Sequence, residues 1–99
     1  MLNGYWIVTF TVPNSLLMER FLSALESEFE DAGARVVPPD PRPDVLDDGT
    51  EMAIQVVEFP SLTAALSCLE TEGYAGTQSL RDQFTSFVLV TIEEAKLSL

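Results

Sequence analysis

The sequence predicts an α+β domain of ferredoxin-like type, β-α-β-β-α-β, with a four-stranded antiparallel sheet carrying its helices on one face. Three observations lead there. Runs of β-branched and aromatic residues recur at 5–12, 51–59 and 84–92. Between the first two, residues 16–32 change to an apolar spacing of three and four. After Phe59, a Ser61 cap opens a second stretch of helical spacing. At 99 residues the chain suffices for one compact domain, 1–99, with its core over about 4–93.

The first strand, Tyr5 to Val12, stops at Pro13, and Asn14 or Ser15 can cap the helical segment beyond it. Leu17, Phe21, Leu25, Phe29 and Ala32 then mark one face of an amphipathic helix, and Gly33 suits its C-terminal cap. Residues 34–38 read as a short second strand. The prolines of 38–50 cannot donate ladder hydrogen bonds, so that stretch reads as loop, with a turn at Asp48-Gly49. Residues 51–59 form the third strand. The second helix starts after Ser61, with Leu62, Ala65, Leu66 and Leu69 on one face, and Gly73–Gly76 breaks it. A shorter helical piece covers about Thr77 to Asp82, residues 84–92 make the last strand, and the tail after Glu93 frays.

Side-chain alternation divides each strand into two sets. Trp6, Val8, Phe10 and Val12, grouped with Met52, Ile54, Val56, Val88, Val90 and Ile92, make a wholly apolar set expected under the helices. Tyr5, Ile7, Thr9 and Thr11, with Ala53, Gln55, Val57, Phe59, Phe87, Leu89 and Thr91, form the opposite set. That set is too apolar for a face left in water, so a second copy is expected to cover it as a homodimer.

Acids outnumber bases 16 to 5, a formal charge of −11. Phosphate backbones and anionic membranes require the opposite sign, so neither nucleic acid nor a membrane surface is an expected partner. The start of the chain lacks the basic and apolar segments of a signal peptide, and no apolar run is long enough to cross a bilayer. The single cysteine, Cys68, excludes an intrachain disulfide and fits a reducing cytoplasm.

The chain has no histidine. Ser-His and Cys-His nucleophiles, histidine-bound haem and zinc sites are therefore ruled out, and no metal or cofactor is expected. Asp40, Asp44, Asp47 and Asp48 cluster in the proline-rich loop but fit no calcium-loop spacing and read as a solvated acidic segment. Cys68 reads as a buried small hydrophobe. Tyr5, Trp6 and Tyr74 serve either packing or an aromatic wall for a small planar ligand. Glu58 shares a strand face with Met52, Ile54 and Val56, placing its carboxylate toward the expected helix side, whereas Phe59 points toward the expected dimer sheet. A carboxylate there needs a cation or several donors. Arg35, Arg81 and the amides opening the second helix are the candidates, and a ligand is the fourth.

Several segments resemble one family. Gly4-Tyr5-Trp6-Ile7-Val8, Ala32-Gly33-Ala34-Arg35, Val56-Val57-Glu58-Phe59-Pro60-Ser61 with Ala64-Ala65 beyond it, and Gly73-Tyr74 with Leu80-Arg81 are similar to the motifs of the DUF1330 family. The resemblance spans about residues 4–93 and implies a dimeric α/β-barrel, without implying an established reaction. The chain departs from the pattern at Cys68-Leu69, where the family has Trp-Tyr, at Thr71-Glu72-Gly73-Tyr74, at Met18 and Phe21 in place of tyrosines, and at Ala32. The leading expectation is a soluble homodimer of unassigned function that binds a small molecule between sheet and helices. One alternative is a cofactor-free enzyme, monooxygenase- or isomerase-like, acting on a small organic acid with Glu58 as general base and Arg35 or Arg81 holding the anion. Another is an effector-sensing regulatory domain with its ligand at the dimer interface. Fold alone does not choose among them.

Overall fold

A computed structural model describes residues 2–38, 44–45 and 49–94. Strand β1 (Gly4–Thr11) leads through a 3-10 turn, Val12–Asn14, into helices α1 (Ser15–Ala24) and α2 (Glu26–Ala32). Strands β2 (Arg35–Val37), β3 (Asp44–Val45) and β4 (Glu51–Phe59) come next. Three short helices, α3 (Leu62–Cys68), α4 (Glu72–Ala75) and α5 (Gln78–Arg81), precede β5 (Phe87–Glu93). The sheet runs β2-β4-β1-β5, antiparallel throughout, and the two-residue β3 pairs with β4 at Met52 and Glu51. This is the expected α+β, ferredoxin-like architecture. The acidic positions Asp40, Asp47 and Asp48, and the tail from residue 95, lie outside the described residues; at Asp44 only the backbone is described.

Local chemistry explains most boundaries. Pro13 cannot extend β1 and instead sits in the first turn of the 3-10 segment. Gly33 closes α2 at φ 70°, a left-handed conformation that glycine adopts without steric cost. Ser61 is extended, and its Oγ accepts from the Ala64 amide at 3.0 Å, starting α3. Thr71 does the same for Tyr74, so Glu72–Ala75 forms a one-turn helix where the glycines predict a break. The expected single helix over 16–32 is interrupted at Leu25, with φ −102° and ψ 7°, although its stripe of Phe21, Leu25 and Phe29 is buried as the spacing requires. Leu66 departs from expectation. It is 46% exposed, because α3 turns the small residues Ala65 and Cys68 inward and lies close on β1.

The register corrects the assignment of faces. Trp6 stands opposite Val57 and Thr91, Val8 opposite Gln55 and Leu89, and Phe10 opposite Ala53 and Phe87. Directly paired residues of an antiparallel ladder project to the same side. The helix-covered face therefore joins Trp6, Val8 and Phe10 to Val57, Phe59, Leu89 and Phe87. Met52, Ile54, Val56, Val88, Val90 and Ile92 lie on the open face with Tyr5, Ile7 and Thr9. Alternation sorts the residues within a strand, but a one-residue change of register exchanges the faces of its neighbour. Grouping by apolarity put Gln55 on the wrong side. It is buried on the covered face, where its amide donates to the carbonyls of Val37 at 2.8 Å and Val56 at 3.1 Å. Hydrogen bonds, rather than apolar contact, make that position tolerable.

The core on the covered face is aromatic. Trp6 is fully buried and meets Phe29, Phe59 and Tyr74 with ring centroids 5.4, 5.1 and 5.7 Å away. Its indole N–H donates to the Ala65 carbonyl at 2.8 Å, which satisfies the one polar atom that burial would otherwise strand. Phe21 links this group to Phe87 and Tyr74.

Candidate functional site

The corner at Val57-Glu58-Phe59-Pro60-Ser61 is held from below by Gly4. Gly4 pairs with Phe59, and a Cβ on it would lie 2.5 Å from the Ser61 carbonyl oxygen and 2.6 Å from the Leu62 backbone. Only a residue without a side chain lets β1 pass beneath the start of α3. Sequence reading missed this role for Gly4. The available signal was a glycine placed directly before a run of strand formers.

Glu58 and Phe59 leave the corner in opposite directions, each to the side other than the one expected. Phe59 enters the covered core and is 1% exposed. Glu58 lies on the open face, opposite Arg35 on β2 and Tyr5 on β1. Arg35 Nη2 is 3.5 Å from Glu58 Oε2, with the side chains 68% and 29% exposed. Exposed pairs at this spacing are worth between nothing and about 1 kcal/mol. The helix-start amide of Ala64 is taken by Ser61, so among the described hydrogen bonds Glu58 meets Arg35.

Arg81 lies apart from Glu58. Its guanidinium carbon is 4.2 Å from the centre of the Tyr74 ring. Nε donates to Thr77 Oγ1 at 2.9 Å, and Nη2 donates to the Tyr74 carbonyl at 3.2 Å. Thr77 is itself buried. These contacts tie α5 back onto α4 and fix the tyrosine edge-on to Trp6 and Phe21. Burial raises the Tyr74 phenol above its ordinary pKa, with Arg81 opposing and Cys68 adding to that shift. The structure thus separates the candidates into two sets. Tyr5, Arg35 and Glu58 share the open face, and Trp6, Tyr74 and Arg81 belong to the covered side.

Grooves lined by described residues open on the helix side. One, of about 580 Å³, lies between α2 and α3; Cys68 and Ala64 line it, with Glu28, Asp31, Thr71 and Gly73 around them. The Glu28 carboxylate lies over Gly73, where there is no Cβ to exclude it. Burial first, and the Glu28 charge second, push the Cys68 thiol up to about 11, so it stays protonated and a poor nucleophile at neutral pH. The second groove, of about 480 Å³, runs between the helices and β2 over Leu22, Phe29, Ala34 and Val36, with Glu26 and Glu30 among its lining residues. Neither groove includes Glu58, Tyr74 or Arg81. Among the described residues no three carboxylates or thiols gather closely enough to hold a metal ion. No helix among them is long and apolar enough to cross a membrane.

No curated protein matches the chain. Solved structures do. A protein of unknown function from Rhodopseudomonas palustris, RPA0582, is similar at 13% identity and a TM-score of 0.66, covering 96% of this chain and 85% of its own. A putative antibiotic biosynthesis monooxygenase from Bacillus cereus is similar at 14% identity and a TM-score of 0.62, covering 100% and 99%. A dimeric protein of unknown function and ferredoxin-like fold from Bacteroides fragilis is similar at 16% identity and a TM-score of 0.55, covering 93% and 96%. Such distant likenesses show the fold and leave activity open. The model of DUF1330, a domain of unknown function, matches residues 3–95, so the chain that carries this corner and this sheet belongs to the DUF1330 family.

Proposed function

We propose that the protein is a homodimeric binding module whose two copies join open face to open face, forming a dimeric α/β barrel. The observation that carries this reading is the exposure of Ile54, Val88, Val90 and Ile92 on one sheet face, at 45%, 53%, 49% and 44%. Single exposed aliphatics are ordinary, but a contiguous set calls for a cover. The charge distribution indicates which cover. The chain carries −11, yet on this face β1, β2, β4 and β5 present one acid, Glu58, and one base, Arg35, which pair. A basic partner finds no unpaired acid on this face of these four strands, whereas a second copy brings an equally apolar surface. The dimeric Bacteroides fragilis protein of the same fold is a precedent for a dimer of this fold.

In this reading Tyr5, Arg35 and Glu58 lie at the subunit interface, and Glu58 serves as the partner of Arg35. Glu58 lines neither of the two grooves described above, and its described partner is the exposed Arg35 guanidinium. The space between sheet and helices around Trp6 is filled by aromatic rings, so a small molecule is best accommodated in the α2/α3 groove. The single buried thiol, Cys68, suits a reducing cytoplasm, where we place the protein.

Sedimentation velocity across the micromolar range, in about 0.5 M sodium chloride, tests the assembly. The expected result is a dimer, converted to a monomer by Val90→Lys, which puts an ammonium at a position paired with Ile7 in the middle of the face. Loss of the dimer in that variant cannot be attributed to added negative charge. A wild-type chain that stays monomeric throughout overturns the reading.

A further inference from the structure

Resting on the dimer reading above, we infer that assembly is controlled by ionic strength, with the two copies separating in low salt and joining as salt rises. The attractive part of the proposed interface is apolar, and its single described ion pair is internal to each copy. Salt has little to weaken there. The repulsive part lies on the helix layer, where α1 and α2 alone carry Glu19, Glu26, Glu28, Glu30 and Asp31 against Arg20. Each copy brings −11 to the encounter.

Distance decides whether that charge is felt. Stacked sheets lie ~10 Å apart, and with a helix layer roughly 10 Å behind each sheet the two acidic layers are roughly 30–40 Å apart. The screening length is ~30 Å at 0.01 M salt and ~3 Å at 1 M. Repulsion between the outer layers is therefore only partly screened in dilute buffer and almost absent in concentrated salt. The sign is the reverse of that for an interface held by cross-subunit salt bridges, which salt loosens.

Sedimentation equilibrium at neutral pH, in about 0.01 M and about 0.5 M sodium chloride, reads the effect directly. The expected outcome is a dissociation constant at least about tenfold lower at high salt. A dimer whose affinity is unchanged or weakened by salt overturns the ionic control and leaves the dimer standing. A monomer at both salts and all concentrations removes the dimer itself. The combined variant Glu26→Gln, Glu30→Gln, Asp31→Asn changes exposed groups on the helix layer, away from the proposed interface. It should tighten the low-salt dimer severalfold and leave the high-salt dimer nearly unchanged. If the low-salt dimer does not tighten, the salt response has a non-electrostatic origin and the inference fails.

Discussion

The two faces of the sheet are built from the same strands, one rich in aromatic rings and the other largely aliphatic, and they differ in what they ask of the surroundings. On the covered face Trp6, Val8, Val57 and Phe59 are at most 1% exposed, and the polar atoms among them are paired, as at Trp6 and Gln55. On the open face Ile54, Val88, Val90 and Ile92 keep about half their surface in water. One face is completed within the chain, whereas the other keeps its aliphatic side chains in water. Burial differs because the helices supply aromatic rings to one side only, and alternation along a strand cannot satisfy both sides at once.

The largest blow to the contrast is Trp6→Ala. It empties the centre of the aromatic group and removes the donor to Ala65, and should cost about 3–5 kcal/mol by denaturant unfolding. A cost below about 1 kcal/mol would mean that the covered face is not the one that holds the subunit together. Gly4→Ala comes next, at about 1–3 kcal/mol, because its methyl must displace the backbone at Ser61 and Leu62. A crystal structure of this variant should show the start of α3 lifted from β1.

Titration probes the covered side more gently. The Cys68 thiol is raised from 9.0 to about 11, so the folded state holds its proton longer than the unfolded chain. The stabilisation is complete below pH 9.0 and is lost as pH rises through about 11, with Tyr74 shifted the same way. Thermal unfolding scans across that window should show falling stability, with a shallower fall in Cys68→Ala. The smallest effect is expected on the open face. Glu58→Gln breaks an exposed pair and should change subunit stability by less than about 1 kcal/mol. A loss several times larger would give Glu58 a role beyond its contact with Arg35.

Much of the covered side was legible in residue order. Pro13, Gly33 and Ser61 act through local geometry, so their positions alone place the end of β1, the end of α2 and the start of α3. The spacing of Phe21, Leu25 and Phe29 likewise specified the buried stripe of the first helical region. The pairing of faces was not legible, because it depends on which residue of β4 or β5 stands beside Trp6. Val57 and Thr91 stand there, and moving either strand by one position would reverse the outcome. Both Glu58 and Phe59 were misdirected for that reason. The helix break at Leu25 has no proline or glycine to announce it, and Thr71 restarted a helix that Gly73 was expected to end. Arg81 could be singled out as a scarce cation, but its placement over Tyr74 depends on how α4 and α5 turn.

Trp6 is the sole tryptophan of the chain, and its indole is sealed on the covered face. The protein therefore contains one indole fluorophore with an unambiguous address. Its emission should be that of an apolar, water-free indole and should move to longer wavelength as the subunit unfolds. Tyr74, with its ring centroid 5.7 Å away, is positioned to pass excitation to it. Because the sheet separates Trp6 from the open face, assembly should leave that colour almost unchanged. Fluorescence thus reports folding, while scattering or sedimentation reports association, and the two processes can be followed in one sample without a label.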